Sequence, residues 1–161
     1  MNMSRNDSGA AAQEIMAATP AETLALGRRI AALLRPGDIV LLAGGLGAGK
    51  TVMAAGIAEG LGVEETVTSP SFVLVRSYDG LVPVHHADVY RLGTIAELDD
   101  LDLLSATDDG VLLIEWGDAV VGGLPDDHLM IELQVGDGDT RHVKITPHGA
   151  MRERSFEELT A

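Results

Sequence analysis

Eight consecutive residues, Gly44-Gly45-Leu46-Gly47-Ala48-Gly49-Lys50-Thr51, have the types and spacing of a phosphate-binding loop, G-x-x-x-x-G-K-[ST], the Walker A pattern. Glycines let the backbone curl until successive N–H groups converge on phosphate oxygens, and the start of a following helix adds the positive end of its dipole. Lys50 supplies a point charge for the β- and γ-phosphates, and the Thr51 hydroxyl is a ligand for Mg²⁺. The bland alternative is a chance Gly-rich turn. With 19 glycines and only two lysines in the chain, an accidental match has a probability of roughly three in a thousand. One of those two lysines fills the required place.

Phosphoryl chemistry at such a loop also needs a carboxylate to hold Mg²⁺, directly or through water, and a group that orients the attacking water. Val111-Leu112-Leu113-Ile114-Glu115 puts Glu115 at the C-terminal end of an apolar run, and Val82-Pro83-Val84-His85-His86-Ala87-Asp88 does the same for Asp88. Ligands of open α/β sheets gather at the C-terminal ends of strands, so both carboxylates are candidates to face the crevice that holds Thr51. In a chain with 25 acidic residues, the competing reading of either is a solvated strand end. Trp116, the only tryptophan, follows Glu115 and is a candidate to stack near a nucleotide or simply to pack. His85 and His86 alternate across a strand, so only one of them faces the crevice. A lone histidine of this sort is ordinarily structural, and the pair is not read as a metal site. Ser69-Pro70-Ser71 is a turn signal whose hydroxyls are candidates for sensing a γ-phosphate. No N-K-x-D motif exists and no D-x-x-G follows the loop, so ATP is expected rather than GTP.

These residues need a strand, a loop and a helix in that order. Ile39 to Ala43 is a continuous apolar run, as in a strand buried on both faces, and Thr51 to Leu61 has a helix-compatible composition stopped by Gly60 or Gly62. Upstream, residues 1–17 read as a flexible tail, followed by one domain over 18–161. Thr19-Pro20-Ala21-Glu22 is a capping box, with Glu22 reaching back to the N–H of the cap, and opens a helix whose apolar spacing runs to Leu34 before Pro36-Gly37. Phe72 to Tyr78 and Leu81 to His86 flank Asp79-Gly80, a tight-hairpin dipeptide. Thr94-x-x-Glu97 opens a short acidic helix to about Leu104. Leu129 to Val135 and Arg141 to Ile145 read as a second hairpin, with a short helix after Met151.

Composition bounds the rest. The 161 residues carry 11 Lys plus Arg against 25 Asp plus Glu, a formal net charge of -14. Phosphate-backbone binding relies on clustered basic residues, so the chain is not expected to grip nucleic acid by itself. Hydrophobic residues make up 46 % and aromatics 3 %, which requires an aliphatic core and excludes a core-poor acidic tail protein. Without cysteine, disulfides, thiolate metal sites and thiol nucleophiles are impossible, in keeping with a reducing cytoplasm. The stretch from Met1 to Ala18 fails as a signal peptide, and no apolar run is long enough to span a membrane.

Taken in order, Leu46-Gly47-Ala48-Gly49-Lys50-Thr51, Ser69-Pro70-Ser71-Phe72, His86-Ala87-Asp88-Val89-Tyr90-Arg91-Leu92, Ile114-Glu115-Trp116 and Leu124-Pro125 resemble the TsaE family, bacterial phosphate-loop ATPases of tRNA threonylcarbamoyladenosine biosynthesis. The resemblance runs from the helix at Thr23 to about residue 145. It implies an α/β phosphate-loop NTPase with a three-layer fold and a mixed, partly antiparallel sheet. It further implies that Thr51 and Glu115 bind Mg²⁺, that Asp88 is essential for hydrolysis and that Trp116 lies close to the nucleotide. The segment near Thr19 to Thr23 is implied to help enclose adenine, and Arg141 to approach the nucleotide. Implied partners are TsaD-like and TsaB-like subunits, which modify position 37 of tRNAs reading codons that begin with A, so that tRNA is met only through those partners. ATP hydrolysis would sustain repeated turnover of that assembly and be weak without it.

Four positions depart from the family's usual pattern: Gly45 stands where an acidic residue is common, Ser71 for Thr, Ala87 for Phe, and Asp102 for Gly. Two other functional classes compete: a nucleotide-sensing assembly module that needs no turnover, and a small-molecule kinase. Phosphate-loop kinases clamp two phosphoryl groups with several arginines, and after Glu115 this chain has only Arg141, Arg152 and Arg154.

Overall fold

Apolar runs bounded by glycine and proline fold into the strands of one sheet. A computed structural model describes residues 12–45, 47–68, 75–88, 108–115 and 125–160. In chain order they form β1 (Gln13–Ala17), α1 (Pro20–Ala31), β2 (Ile39–Gly44), α2 (Lys50–Gly60), β3 (Val75–Tyr78), β4 (Val84–Asp88), β5 (Val111–Glu115), β6 (His128–Val135) and β7 (Arg141–His148). Two 3₁₀ turns follow, Gly149–Glu153 and Glu157–Thr160, where the sequence predicts one short helix. The strand order is β1-β7-β6-β2-β5-β4-β3. β6, β2, β5 and β4 run parallel, while β3, β7 and β1 each pair antiparallel with their neighbours. The mixed, partly antiparallel α/β sheet expected from the sequence is the one observed. The segments 69–74, 89–107 and 116–124 lie outside the described residues, and with them the turn at Ser69 and the acidic helix from Thr94.

Parallel strands in the middle of a sheet are covered on both faces, so they lack polar alternation. β5 is buried at all five positions and β2 from Ile39 through Ala43. Val40, Leu42 and Leu113 point to one face and share a core cluster with Leu26, Ile30, Met53 and Ile57 of the two helices. α1 begins as the capping box predicts: Thr19 Oγ1 accepts from the Glu22 N–H at 3.1 Å, with Pro20 in the first turn. The Glu22 carboxylate, however, accepts from the Ala18 N–H at 3.0 Å, one residue before the cap. α1 ends at Ala31, earlier than the apolar spacing suggests, and Leu33 continues it through a bond from its N–H to the Ile30 carbonyl at 2.9 Å.

α1 and α2 meet backbone against backbone. A Cβ on Gly56 would collide with the Leu24 carbonyl oxygen, and one on Gly27 would lie 2.8 Å from the Met53 carbonyl oxygen. Neither backbone can yield without moving a helix. Gly56→Ala is therefore expected to destabilise the fold by about 3 kcal/mol, the upper end of an overpacking cost, despite the helix propensity of alanine. For a chain of this size that lowers the melting temperature by about 6–12 °C, which differential scanning calorimetry would measure.

Two of the sequence expectations are corrected. Gln13–Ala17, assigned to the flexible tail, is an edge strand whose Ile15 pairs with Val143 of β7. Five residues carry little local signal, and the partner that fixes them lies far downstream. Asp79-Gly80 is not a two-residue turn either. The last pair of the hairpin is Tyr78 with Val84, and residues 79–83 form the connection. Gly80 packs so closely on Leu61 and Val63 that a Cβ would lie 2.9 Å from the Leu61 carbonyl oxygen, so the loop is shaped by the end of α2.

The end of the sheet opposite the phosphate loop is closed by charge and ring contacts. Arg154 forms a bidentate ion pair with Asp38, at 2.5 and 2.9 Å, just before β2. His128 and His148 face each other in register, with rings stacked at a centroid distance of 4.5 Å. Burial, followed by the nearby His128 and Arg152, lowers the His148 pKa below its ordinary 6.5, with Glu132 opposing. The unfolded chain therefore takes up this proton first as pH falls. The contribution is complete above pH 6.5 and is lost as pH falls from there to the folded-state pKa. Thermal melting is expected to show His148→Gln losing less stability than the parent across that interval.

Candidate functional site

The phosphate loop leaves the C-terminal end of β2 and enters α2 at Lys50. Gly47 and Gly49 have φ of 79° and 102°, the left-handed region that side chains disfavour, so glycine at these two places is a backbone requirement. The loop closes through the Ala48 N–H to the Gly45 carbonyl at 3.1 Å, and α2 starts with the Met53 N–H bonded to the Gly49 carbonyl at 2.9 Å. Lys50 is 6 % exposed, and its Nζ donates to the carbonyls of Gly44 and Gly45 at 2.8 and 3.0 Å. The ammonium thus lies over the mouth of the loop. Thr51 follows in the first turn of α2 and is partly buried.

Asp88 and Glu115 end β4 and β5, and the parallel register sets them side by side. Neighbouring strands lie about 5 Å apart. Glu115 also pairs with Leu42 of β2, one strand from the loop. Both carboxylates are buried, at 6 % and 4 % exposure. Alternation along β4 puts His86 on the face of Asp88 and His85 on the other. His85 Nδ1 hydrogen-bonds Ser77 Oγ at 2.8 Å. His86 is fully buried, with Nε2 2.5 Å from Glu115 Oε2. Sequence reasoning missed this contact: alternation says that one histidine faces inward, and only the β4–β5 register says which carboxylate it meets. Ala87 is fully buried and paired with Val75 and Ile114 on the opposite face.

From the other side, Arg141 at the start of β7 donates to the Gly47 carbonyl at 3.2 Å and is steadied by the carbonyls of Gly138 and Thr140 at 3.1 and 2.9 Å. A recess of about 110 Å³ lies between Pro20 and Thr23 of α1, Gly47 and Gly49 of the loop, and Asp139 and Arg141 of the β6–β7 hairpin. A larger hollow of about 550 Å³ touches the loop only at Ala43 and Gly44, and it sets Glu14 and Glu132 against the single Lys144. That charge balance does not suit a polyphosphate. The structure thus gathers Gly45, Gly47, Ala48, Gly49, Lys50, Thr51 and Arg141 about one loop, with Asp88 and Glu115 paired on adjacent strand ends. Leu46 and Trp116 lie outside the described residues.

Among the described residues, no three His, Asp or Glu side chains are grouped to hold a metal by themselves. That fits Mg²⁺, which is ordinarily bound through one or two carboxylates together with substrate phosphates. The buried Glu115 Oε2 lacks an aligned hydrogen-bond donor among the described residues, as expected of a carboxylate whose environment a cation completes. The kinase reading loses support here. Arg154 is committed to Asp38 at the far end of the sheet, while Arg141 is bonded to the loop.

A sequence profile of the family described as threonylcarbamoyl adenosine biosynthesis protein TsaE matches residues 17–143. A Streptomyces coelicolor protein named tRNA threonylcarbamoyladenosine biosynthesis protein TsaE is 47 % identical over 132 residues, covering 77 % of this chain and 89 % of that one. A Bacillus subtilis protein of the same name is 40 % identical over 143 residues, covering 88 % and 89 %. The crystal structure of Bacillus subtilis YdiB superposes with a TM-score of 0.74 at 35 % identity, over 92 % of this chain and 90 % of that one.

Proposed function

The chain belongs to the TsaE family, and from that membership we propose that it binds and hydrolyses ATP to sustain formation of N6-threonylcarbamoyladenosine at position 37 of tRNAs. Its relatives carry that biosynthesis in their names. The reaction partners are TsaD-like and TsaB-like subunits in the cytoplasm, and tRNA is met through them, since a net charge of -14 opposes direct binding. No helix among the described residues is long and apolar enough to cross a membrane.

The loop N–H groups and the first turn of α2 bind the phosphates, and Lys50 leaves the Gly44 and Gly45 carbonyls to meet the β- and γ-phosphates. Thr51 and Glu115 hold Mg²⁺, which when bound neutralises charge that develops on the phosphoryl oxygens. Asp88 accepts a hydrogen bond from the attacking water and aligns it with the γ-phosphorus, and can take its proton. Arg141 and the start of α1 border the nucleotide. The observation that supports this reading is the register of Asp88 with Glu115, which sets two buried carboxylates side by side on adjacent strand ends.

Hydrolysis would release the contacts made to the γ-phosphate and shift the chain between partner-binding states. The test is modification by the reconstituted assembly supplied with either ATP or a non-hydrolysable analogue during the stage that depends on this subunit. Many cycles with ATP and about one with the analogue are expected. Equal yields over many cycles would favour the sensing module.

A further inference from the structure

The peptide that joins Gly47 to Ala48 is held at both of its polar ends. Its oxygen, on Gly47, accepts from Arg141 Nη2 at 3.2 Å, and its N–H, on Ala48, donates to the Gly45 carbonyl at 3.1 Å. The same Gly45 oxygen accepts from Lys50 Nζ at 3.0 Å, so the Ala48 N–H and the ammonium converge on one place in the loop. The oxygen and the N–H of a trans peptide point in opposite directions, so whatever holds one aims the other. Packing does not aim this peptide: a Cβ built on Gly47 would meet no atom within 4 Å beyond its chain neighbours among the described residues. Glycine, here at φ of 79°, also leaves the peptide free to turn. Arg141 is itself fixed, because Nη1 donates to the carbonyls of Gly138 and Thr140 at 3.1 and 2.9 Å. The turn that carries those carbonyls is closed by the Gly136 N–H on the Thr140 carbonyl, at 2.9 Å.

We infer that Arg141 is a positioning residue for the loop: holding the Gly47 oxygen toward the β6–β7 hairpin keeps the Ala48 N–H aimed inward, where a phosphate oxygen takes the place of the Gly45 carbonyl. This rests on the reading of the loop as the phosphate site. The action is on the backbone and precedes the nucleotide. An arginine that merely touched bound nucleotide would leave the empty loop as it is, which gives the inference a direct test.

The measurement is residue-resolved amide hydrogen exchange by NMR on the full chain, without nucleotide and then saturated with ADP. Arg141→Met keeps bulk and removes every donor. Without nucleotide its Ala48 amide is expected to exchange about tenfold faster than in the parent, the scale of one lost hydrogen bond to a charged group. Arg141→Lys keeps a cation without the planar fork and should fall between the two. Strand amides of β6 and β7 should stay within about twofold of the parent in both variants. Should Arg141→Met fail to fold, Arg141→Gln, too short to span the hairpin and the loop, takes its place with the same expectation. Ala48 exchange within about twofold of the parent overturns the inference, and so does acceleration of the β6 and β7 amides by the same factor as Ala48. The ADP arm separates the two claims. If ADP fails to slow exchange from Ala48 to Thr51 in the parent, the phosphate site fails, whereas slowing there with an unchanged Arg141→Met removes only the positioning role.

Discussion

Lys50→Ala is expected to lower ATP hydrolysis by about a thousandfold in the assembled complex, the scale seen when one preorganised electrostatic contact to a reacting group is removed. Lys50 is one of only two lysines and lies 2.8 Å from the Gly44 carbonyl and 3.0 Å from that of Gly45, at the mouth of the loop. The other lysine, Lys144, lies on β7 in register with Glu14 and Glu132 on the strands beside it. The charge contributes to binding as well as to the transition state, so affinity for ATP should also fall, by roughly ten to a hundredfold. Phosphate release and equilibrium binding measure the two effects. Circular dichroism should show an intact fold, since the ammonium lies at the loop and outside the aliphatic core cluster.

The companion variant, Asp88→Asn, is expected to separate binding from chemistry. It keeps the size of the side chain and its ability to bond water, but loses the charge that draws and accepts a proton. Turnover should fall by about a hundred to ten-thousandfold, the range for losing a positioned acid–base group, while ATP affinity stays within about threefold. Asp88 stands beside Glu115 on the sheet and not in the loop, so the phosphates keep their contacts. A parallel loss of affinity would instead place Asp88 with the binding groups. Single-turnover hydrolysis and nucleotide titration on the same preparation distinguish the two results.

The parts of this site that could be read from the sequence are those whose chemistry is local. A loop that must curl around phosphates writes its glycines, lysine and threonine in eight consecutive residues, and the apolar run before it announces a buried parallel strand. Asp88 and Glu115 stood out because each closes such a run. Their adjacency did not, since it depends on β4 and β5 pairing in parallel with a particular register. The same dependence hid β1, which owes its structure to β7, and hid the choice between His85 and His86. Asp79-Gly80 misled for the reverse reason: a strong local turn signal was overridden by packing against the end of α2. Among the late arginines the resemblance singles out Arg141; the fold bonds Arg141 to the loop and sends Arg154 to Asp38.

The central claim is that this chain sustains tRNA modification by turning over ATP at the paired strand ends. The most direct measurement is the amount of threonylcarbamoyladenosine formed per partner complex over time, with the parent chain or with Asp88→Asn supplied. The account predicts continued accumulation with the parent and a halt after about one equivalent with the variant, whose nucleotide binding is intact. Sustained formation at the parental rate with Asp88→Asn would contradict it.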